Sequence, residues 1–414
     1  MKINYHKSPS FAFLFLIAGI FFFYSCNSTG REKTFTIKNK LAINRSAETI
    51  SIAVSQISAL VEEHGAANLQ IRESGSEEPL LTQTIDTNSD GKTDQIIFQT
   101  DMKPDEEKQF VVEARKNNAT APPEGEGQAF SRYVPENNED FAWENDRVAF
   151  RAYGRVTEAR ESGGKVSGGT SGIDAWFKRV PYPIIDKWYN INQEAKLKKE
   201  AGAPHTDTYH TDTGEGYDPY VVGGSRGIGG TGIWENDTLY VSRPFIGYKQ
   251  IATGPIRTIF ELTYAPWQAA GRTIHEKKRI SLDLGSNLSR YEISIYTSEP
   301  LPNIAAGIAL HDGEGTVKAM PEEGWFRYWE AVDDSEVGIG IVLKPVSIQT
   351  YIDSLNAAAQ DNLLVLMEAP ENKVIYYAGY SWKKSGQYTS PQEWDQYLQH
   401  FSLCLASPLE VTFR

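Results

Sequence analysis

The stretch IRTIFELTYAPWQAAGRTIHEKKRISLDLGSNLSRYEISIY, residues Ile256–Tyr296, decides the fold class. Apolar and polar residues alternate along Ile256–Tyr264 and Ile274–Leu284, which is the pattern of strands with one buried face. Residues typical of turns, such as Asp283–Asn287, separate one apolar run from the next. This stretch therefore predicts consecutive antiparallel strands.

The alternation continues towards the C-terminus. Further candidate strands are Ile304–Leu310, Trp325–Val332, Val337–Leu343, Leu363–Met367 and Val374–Tyr380. Many strands, short turns and little helical periodicity predict a large antiparallel β-sandwich.

One helix is predicted near the C-terminus. Ser390 can cap it, Pro391 suits its first turn, and Glu393 completes a capping box. A stripe of large apolar side chains then follows at helical spacing, and we expect it to pack on the sheet: Trp394, Tyr397, Leu398 and Phe401.

Shorter alternating runs precede this region. They predict a small N-terminal β-sandwich over residues 35–115, and the Asn-, Pro- and Gly-rich segment 116–127 is typical of a linker. The second domain is therefore predicted over residues 130–414. One turn of the small sandwich carries oxygen donors at alternate positions, as calcium loops do, but lacks their distal Glu. We favour a plain hairpin turn and keep calcium as the alternative, with the ligands Asp86, Asn88, Asp90 and Asp94.

Composition excludes several function classes. The chain has 414 residues and a net charge of −13, which argues against nucleic acid or an anionic membrane surface as a partner. It has no phosphate-binding loop, dinucleotide fingerprint or nucleophile elbow. No His/Cys cluster stands at zinc-ligand spacing, so no cofactor is predicted beyond the calcium alternative.

The first 26 residues predict a lipoprotein signal peptide. A basic start is followed by the apolar run Phe11–Tyr24, which is too short for a comfortable transmembrane helix. Phe23–Cys26 is similar to a loose lipobox, so we expect lipidation at Cys26 and a lipid-anchored location in the cell envelope. The alternative is an ordinary secretory signal. With Cys26 acylated, Cys404 has no intramolecular disulfide partner.

The segment from His205 to Gly230 holds most of the candidate chemistry. It is rich in glycine and in His, Asp, Glu, Tyr and Arg side chains. Glycine allows the backbone to adopt positive φ angles, and the polar residues favour turns. Such a segment makes a poor helix and a poor strand. We interpret it as an active-site loop, with a solvated surface loop as the alternative.

Four motifs together resemble a Bacteroidota family defined by a domain of unknown function: FAWENDRVAFRAYG at 141–154, HTDTGEGYD at 210–218, GIGG at 227–230 and YSWKKSG at 380–386. Members of that family are lipoproteins and secreted proteins of polysaccharide-utilisation loci. The resemblance implies a galactose-mutarotase-like β-supersandwich. It also implies dehydration of uronate-ended oligosaccharides from ulvan, a sulfated algal polysaccharide.

Removing water from a terminal uronate needs three groups. A base takes the C5 proton, an acid protonates the C4 hydroxyl, and a cation stabilises the enolate-like anion at the carboxylate. On this basis we assign His210 as base and Tyr217 as acid or alternative base. Arg226 or Arg151 is the candidate carboxylate clamp. The supporting candidates are Asp212 or Glu215 to orient the imidazole, Trp143, Trp176 and Trp234 to stack on sugar rings, and His311 to line the cleft.

Two other functions stay open from the sequence. The first is another carbohydrate enzyme on the same fold: a polysaccharide lyase, an epimerase, or a hydrolase with paired carboxylates. The second is a non-catalytic sugar-binding lipoprotein that uses aromatic platforms.

Overall fold

The computed structural model describes Met1 and residues 32–115, 128–154, 160–162, 165–167, 169–202, 208–355 and 360–413. The predicted lipidation site Cys26, the predicted linker 116–127 and His205 lie outside the described residues. None of the described helices is both long and apolar enough to cross a membrane.

The described residues form three α-helices: α1 (Ser58–His64), α2 (Ile185–Glu200) and α3 (Pro391–Ala406). Their strands are β1 (Glu32–Lys38), β2 (Arg45–Ala53), β3 (Leu69–Glu73), β4 (Thr82–Ile85), β5 (Gln95–Met102), β6 (Glu107–Ala114), β7 (Phe130–Val134), β8 (Asp140–Glu144), β9 (Ala149–Ala152), β10 (Arg160–Ser162), β11 (Lys165–Ser167), β12 (Ile173–Lys178), β13 (Gly216–Tyr217), β14 (Ile228–Glu235), β15 (Thr238–Tyr240), β16 (Phe245–Ala252), β17 (Arg257–Tyr264), β18 (Trp267–Ala269), β19 (Arg272–Asp283), β20 (Leu288–Tyr296), β21 (Ile304–Ala309), β22 (Thr316–Met320), β23 (Trp325–Val332), β24 (Ser335–Val342), β25 (Ile348–Ser354), β26 (Asn362–Met367), β27 (Lys373–Trp382) and β28 (Glu410–Phe413).

The predicted mainly-β fold is confirmed. Every strand expected between Ile256 and Tyr380 is present, within a few residues of its predicted ends. A nine-stranded sheet runs in the order β16-β17-β19-β20-β27-β24-β23-β22, with β18 paired to β19. Two five-stranded sheets, β15-β14-β21-β26-β25 and β13-β12-β9-β8-β7, share one apolar core with it. Burial of this shared face is the main force that holds the sheets together.

Two smaller sheets lie at the N-terminus, in the orders β28-β1-β6-β3 and β2-β5-β4. Their facing residues, among them Phe35, Ile50 and Phe98, form a separate apolar core. The last strand, β28, comes from the opposite end of the chain and pairs with β1, where Phe413 stacks on Phe35 at 5.1 Å. Residues 410–413 thus join the sheet of the first predicted domain, while the division into two domains stays a prediction.

The loop with the calcium-like pattern is a hairpin connection between β4 and β5. Asp86 accepts the backbone N–H groups of Ser89 and Gly91, and Asp94 accepts the N–H of Thr87. These bonds occupy the carboxylates inside the turn itself, as Asx turns do. Among the described residues, no three His, Cys, Asp or Glu side chains are grouped to hold a metal ion.

Two helices flank the large sheets. Helix α3 begins as predicted, since the Ser390 hydroxyl accepts the N–H of Glu393, and its buried Trp394 and Leu398 pack on the sheet. Cys404 lies on this helix as a half-buried free thiol. Helix α2 begins at Ile185 and buries Trp188 and Tyr189.

Candidate functional site

A buried guanidinium marks the candidate site. Arg151 on β9 pairs directly across the sheet with Asp174 on β12, and their side chains form a buried ion pair. Arg151 Nη2 also lies 3.1 Å from Oδ2 of Asp218, and Nη1 donates to the Tyr209 hydroxyl at 3.3 Å. One cation is therefore shared by two buried carboxyl groups, which is an arrangement that strongly perturbs proton affinity.

Aromatic rings enclose this network. The guanidinium carbon of Arg151 lies 4.9 Å from the ring centre of Tyr153, 5.4 Å from that of Trp176 and 5.9 Å from that of Tyr209. These faces attract the cation and exclude water. Coulomb interactions inside the enclosure are correspondingly stronger than at the surface.

The carboxyl groups of the network hold their protons tightly. Burial, reinforced by the neighbouring charge of Asp174, raises the pKa of Asp218 well above its ordinary value, although Arg151 opposes the shift. Burial likewise raises the pKa of the nearby Asp140 to about 6. Perturbed carboxyl groups of this kind occur preferentially at functional sites, and they supply protons near neutral pH.

His210 is the exposed member of the group, with 57% of its side chain accessible. Its Nδ1 lies 2.8 Å from the backbone carbonyl oxygen of Asp218 and 3.7 Å from that residue's carboxylate. A carbonyl can only accept, so Nδ1 carries the hydrogen and donates it. In the neutral imidazole this leaves the lone pair on Nε2, which is the state that a general base requires.

The predicted orienting carboxylates contact other groups. Asp212 binds Arg179 at 2.6 Å, and Glu215 accepts from Tyr182 at 2.6 Å and from Lys187 at 2.7 Å. The residue that fixes the imidazole is Asp218, mainly through its backbone. Backbone acceptors carry no sequence signal, so the contact of Asp218 with the imidazole could not be predicted from the sequence.

The predicted convergence of His210, Tyr217 and Arg226 is not what the structure shows. The Tyr217 hydroxyl donates to Asp333 at 2.7 Å, and burial and this carboxylate raise the pKa of Tyr217, which makes it a poor acid. Arg226 is buried between the sheets, where Nη1 donates to the Ser171 hydroxyl. Of the two candidate clamps, only Arg151 lies in the network that contacts His210.

The three candidate sugar platforms are packing residues. Trp143 is fully buried and donates to the Ser289 hydroxyl at 2.9 Å. Trp176 is also fully buried, and it lies under Arg151 between the rings of Trp188 and Tyr209. Trp234 is half-buried and packs against a separate apolar cluster. The sequence could not separate stacking from packing, because both use large aromatic rings.

His311 lies where the sequence predicted, just after a strand, here β21. Its Nδ1 lies 2.8 Å from the Glu330 carboxylate, and Nε2 lies 2.9 Å from the carbonyl of Val221. The ring also contacts Tyr220, whose centroid is 4.9 Å away. His311 therefore anchors the segment that follows Asp218.

Sequence reasoning missed Asp174. It stands alone as a charge in the otherwise apolar run of β12, IDAWF, and that isolation was the available signal. A buried charge almost always has a partner, so it could have been matched with Arg151.

Comparisons with known proteins find a family and a relative that match most of the chain. The model of the domain of unknown function DUF4861 matches residues 37–411. The uncharacterized protein P7 of Formosa agariphila is 40% identical over 407 residues, which cover 97% of this chain and 98% of that protein.

Two solved structures are similar at 10% and 9% identity, each with a TM-score of 0.47: an alpha-mannosidase from Enterococcus faecalis V583 and a glycosyl hydrolase family 38 protein from Enterococcus faecalis. Both matches cover 92% of this chain, and it spans about half of their length, 46% and 47%.

Proposed function

The chain belongs to the family of the domain of unknown function DUF4861, and from that membership we propose a carbohydrate-active dehydratase. It eliminates water from the non-reducing-end uronate of ulvan-type oligosaccharides and leaves a 4,5-unsaturated sugar. It is anchored through a lipid on Cys26 in the cell envelope. The four motifs that resemble ulvan-processing lipoproteins support the substrate class and the location.

One observation carries the chemical part of the proposal. A half-exposed imidazole with a fixed tautomer stands on a buried network of one guanidinium and two carboxyl groups, and Asp218 belongs to both. Asp218 thus contacts the base, His210, through its backbone carbonyl and the cation, Arg151, through its carboxyl group, which itself is the protonated acid. Elimination next to a carboxylate needs those three groups.

In the proposed reaction, Nε2 of His210 takes the C5 proton, and the electron pair moves towards the C6 carboxylate. The Arg151 charge stabilises the enolate-like anion that forms. The C4–O bond then breaks, and the Asp218 carboxyl delivers its proton to the departing hydroxyl, which leaves as water. The raised pKa of Asp218 keeps that carboxyl protonated at the start of the cycle.

The test is incubation of the purified protein with saturated uronate-ended oligosaccharides. A dehydratase produces the absorbance of an unsaturated uronate and a mass loss of one water, with no shortening of the chain. Shortening with unsaturation would indicate a lyase, and shortening by hydrolysis a glycosidase. Binding without any change in mass would indicate a non-catalytic sugar-binding lipoprotein. The burial of Trp143 and Trp176 speaks against that function, because it removes two of the aromatic platforms expected to contact sugar.

A further inference from the structure

A second group of charges lies inside the large sandwich, away from the Arg151 network. Glu276 and Lys278 occupy successive inward positions of β19, between the apolar Ile274 and Ile280. Arg226 enters the same space from the turn before β14. Relative exposures of 3% for Glu276, 1% for Lys278 and 2% for Arg226 place all three charges away from water.

The contacts within this interior cluster hold it in place. Thr231 donates to Glu276 Oε1 at 2.6 Å, and Lys278 Nζ lies 3.5 Å from the same oxygen. The Lys278 ammonium also lies 4.4 Å from the ring centre of Tyr264. Arg226 Nη2 donates at 3.1 Å to the carbonyl of Gly224, which belongs to an exposed turn. The cluster therefore reaches from the sandwich interior to just beneath this turn.

Several polar atoms of the cluster have no hydrogen-bond partner among the described residues. They are Nε of Arg226, Nζ of Lys278, Oε2 of Glu276 and the hydroxyl of Ser242, whose backbone carbonyl accepts from Ser171 beside Arg226. Buried polar atoms are normally paired, because desolvating them without a partner is costly. Four such atoms in one cluster are more typical of a ligand-binding site than of a structural ion pair whose polar atoms are all paired.

The charge balance shows which ligand would fit. Two cations face one carboxylate, so the cluster carries a formal charge of +1, and its unpaired atoms are mostly donors. Burial lowers the pKa of Lys278, and it lowers the pKa of Arg226 to about 10, although Glu276 opposes both shifts. A bound anion would remove the excess positive charge and accept from the unpaired donors.

We propose that the interior cluster of Arg226, Glu276 and Lys278 is a binding site for a small oxyanion, a carboxylate or a sulfate, separate from the Arg151 site. The oxyanion lies between Arg226 Nε and Lys278 Nζ, and Glu276 sets the orientation of the ammonium. The inference does not depend on the proposed dehydratase activity, because binding can be measured without turnover.

The test compares thermal unfolding of the wild type with Lys278→Met and Lys277→Met. Methionine keeps the length of the lysine stem and removes its charge. Lys277 is the matched control, since it neighbours Lys278 on β19, is partly exposed, and pairs with Glu261 on the outer face. Each protein is heated in a series of sodium sulfate and of sodium acetate concentrations, with sodium chloride at equal ionic strength as reference.

We expect a saturable rise of the unfolding midpoint in the wild type and Lys277→Met, and its loss in Lys278→Met. Sulfate also stabilises proteins non-specifically, but that effect does not saturate and is common to all three proteins. A response to sulfate alone or acetate alone identifies the anion. No saturable rise in the wild type, as expected for a cluster that holds only water, overturns the proposal, as does an equal rise in all three proteins.

If Lys278→Met does not fold, wild-type crystals soaked in selenate decide the question. Anomalous selenium density within hydrogen-bond reach of Arg226 Nε and Lys278 Nζ supports the site. Selenium found only elsewhere, or none, overturns it.

Discussion

The acceptors around an imidazole decide what it can do. His210 faces one acceptor, the carbonyl of Asp218, and keeps a lone pair on Nε2. His311 faces acceptors on both nitrogens, Glu330 and the carbonyl of Val221, so both must carry hydrogen and the ring is a cation. Two histidines that look alike in the sequence thus differ in hydrogen bonding, and we propose a chemical role for His210 and a structural one for His311.

We expect His311→Gln to destabilise the fold, and more at pH 6 than at pH 9. Burial lowers the pKa of His311, but the Glu330 carboxylate more than offsets this and raises it above the ordinary value. Its stabilising effect is therefore complete below the unfolded pKa and is lost as the pH rises through the folded pKa. Charged hydrogen bonds of this kind contribute about 1.5–3 kcal/mol.

Urea unfolding of the wild type and His311→Gln at both pH values gives the two differences. His275→Gln is the control, because His275 is exposed on β19, and it should change neither value. An equal difference at pH 6 and pH 9 would show that the imidazolium charge contributes nothing.

At the scale of elements, alternation predicted the strands of the large sandwich, and capping residues predicted the start of α3. The pairing of β9 with β12 could not be predicted, because register depends on partners distant in the chain. That register places Asp174 opposite Arg151 and so builds the site. The glycines around Arg226 are part of the segment predicted as an active-site loop. In the structure they let the backbone pack closely while the Arg226 side chain turns inward: a Cβ at Gly230 would lie 2.5 Å from the carbonyl oxygen of Arg226.

Arg151→Met should lower the free energy of unfolding by about 3–5 kcal/mol at pH 7, because it leaves the Asp174 carboxylate buried without its cation, beside the protonated Asp218. The loss should shrink in acid, where both carboxyl groups are neutral. Urea unfolding at pH 7 and pH 4 measures it. Arg290→Met is the control, since the partly exposed pair of Arg290 with Glu292 is worth at most about 1 kcal/mol. A loss for Arg151→Met no larger than the control would contradict the buried network.

At the scale of the whole molecule, the first and last strands of the described residues, β1 and β28, pair in one sheet. Strand β28 covers the edge of β1, and Phe413 completes the apolar core around Phe35. No local pattern in the sequence indicates this contact, since the two strands are separated by most of the chain. The N-terminal sheets are therefore expected to depend on the C-terminus for their stability.

Deleting residues 410–414 should loosen the N-terminal sheets while the large sandwich stays folded. The deletion exposes the edge of β1 and removes a stacked aromatic pair. Hydrogen exchange followed by mass spectrometry should show faster exchange within residues 32–115 and unchanged protection in β19, β20 and β27. Unchanged exchange in the N-terminal sheets would contradict the structural role of β28.

We propose that His210, with its tautomer fixed by Asp218, is the base of a water elimination. The decisive measurement is mass spectrometry of a saturated uronate-ended oligosaccharide, followed over time with wild type, His210→Gln and the control His275→Gln. We expect wild type and His275→Gln to remove one water from the intact chain, and His210→Gln to do so at least about 100-fold more slowly with an unchanged unfolding midpoint. Elimination by His210→Gln at the wild-type rate would exclude His210 as the base, and a wild type that removes no water would exclude the dehydratase activity.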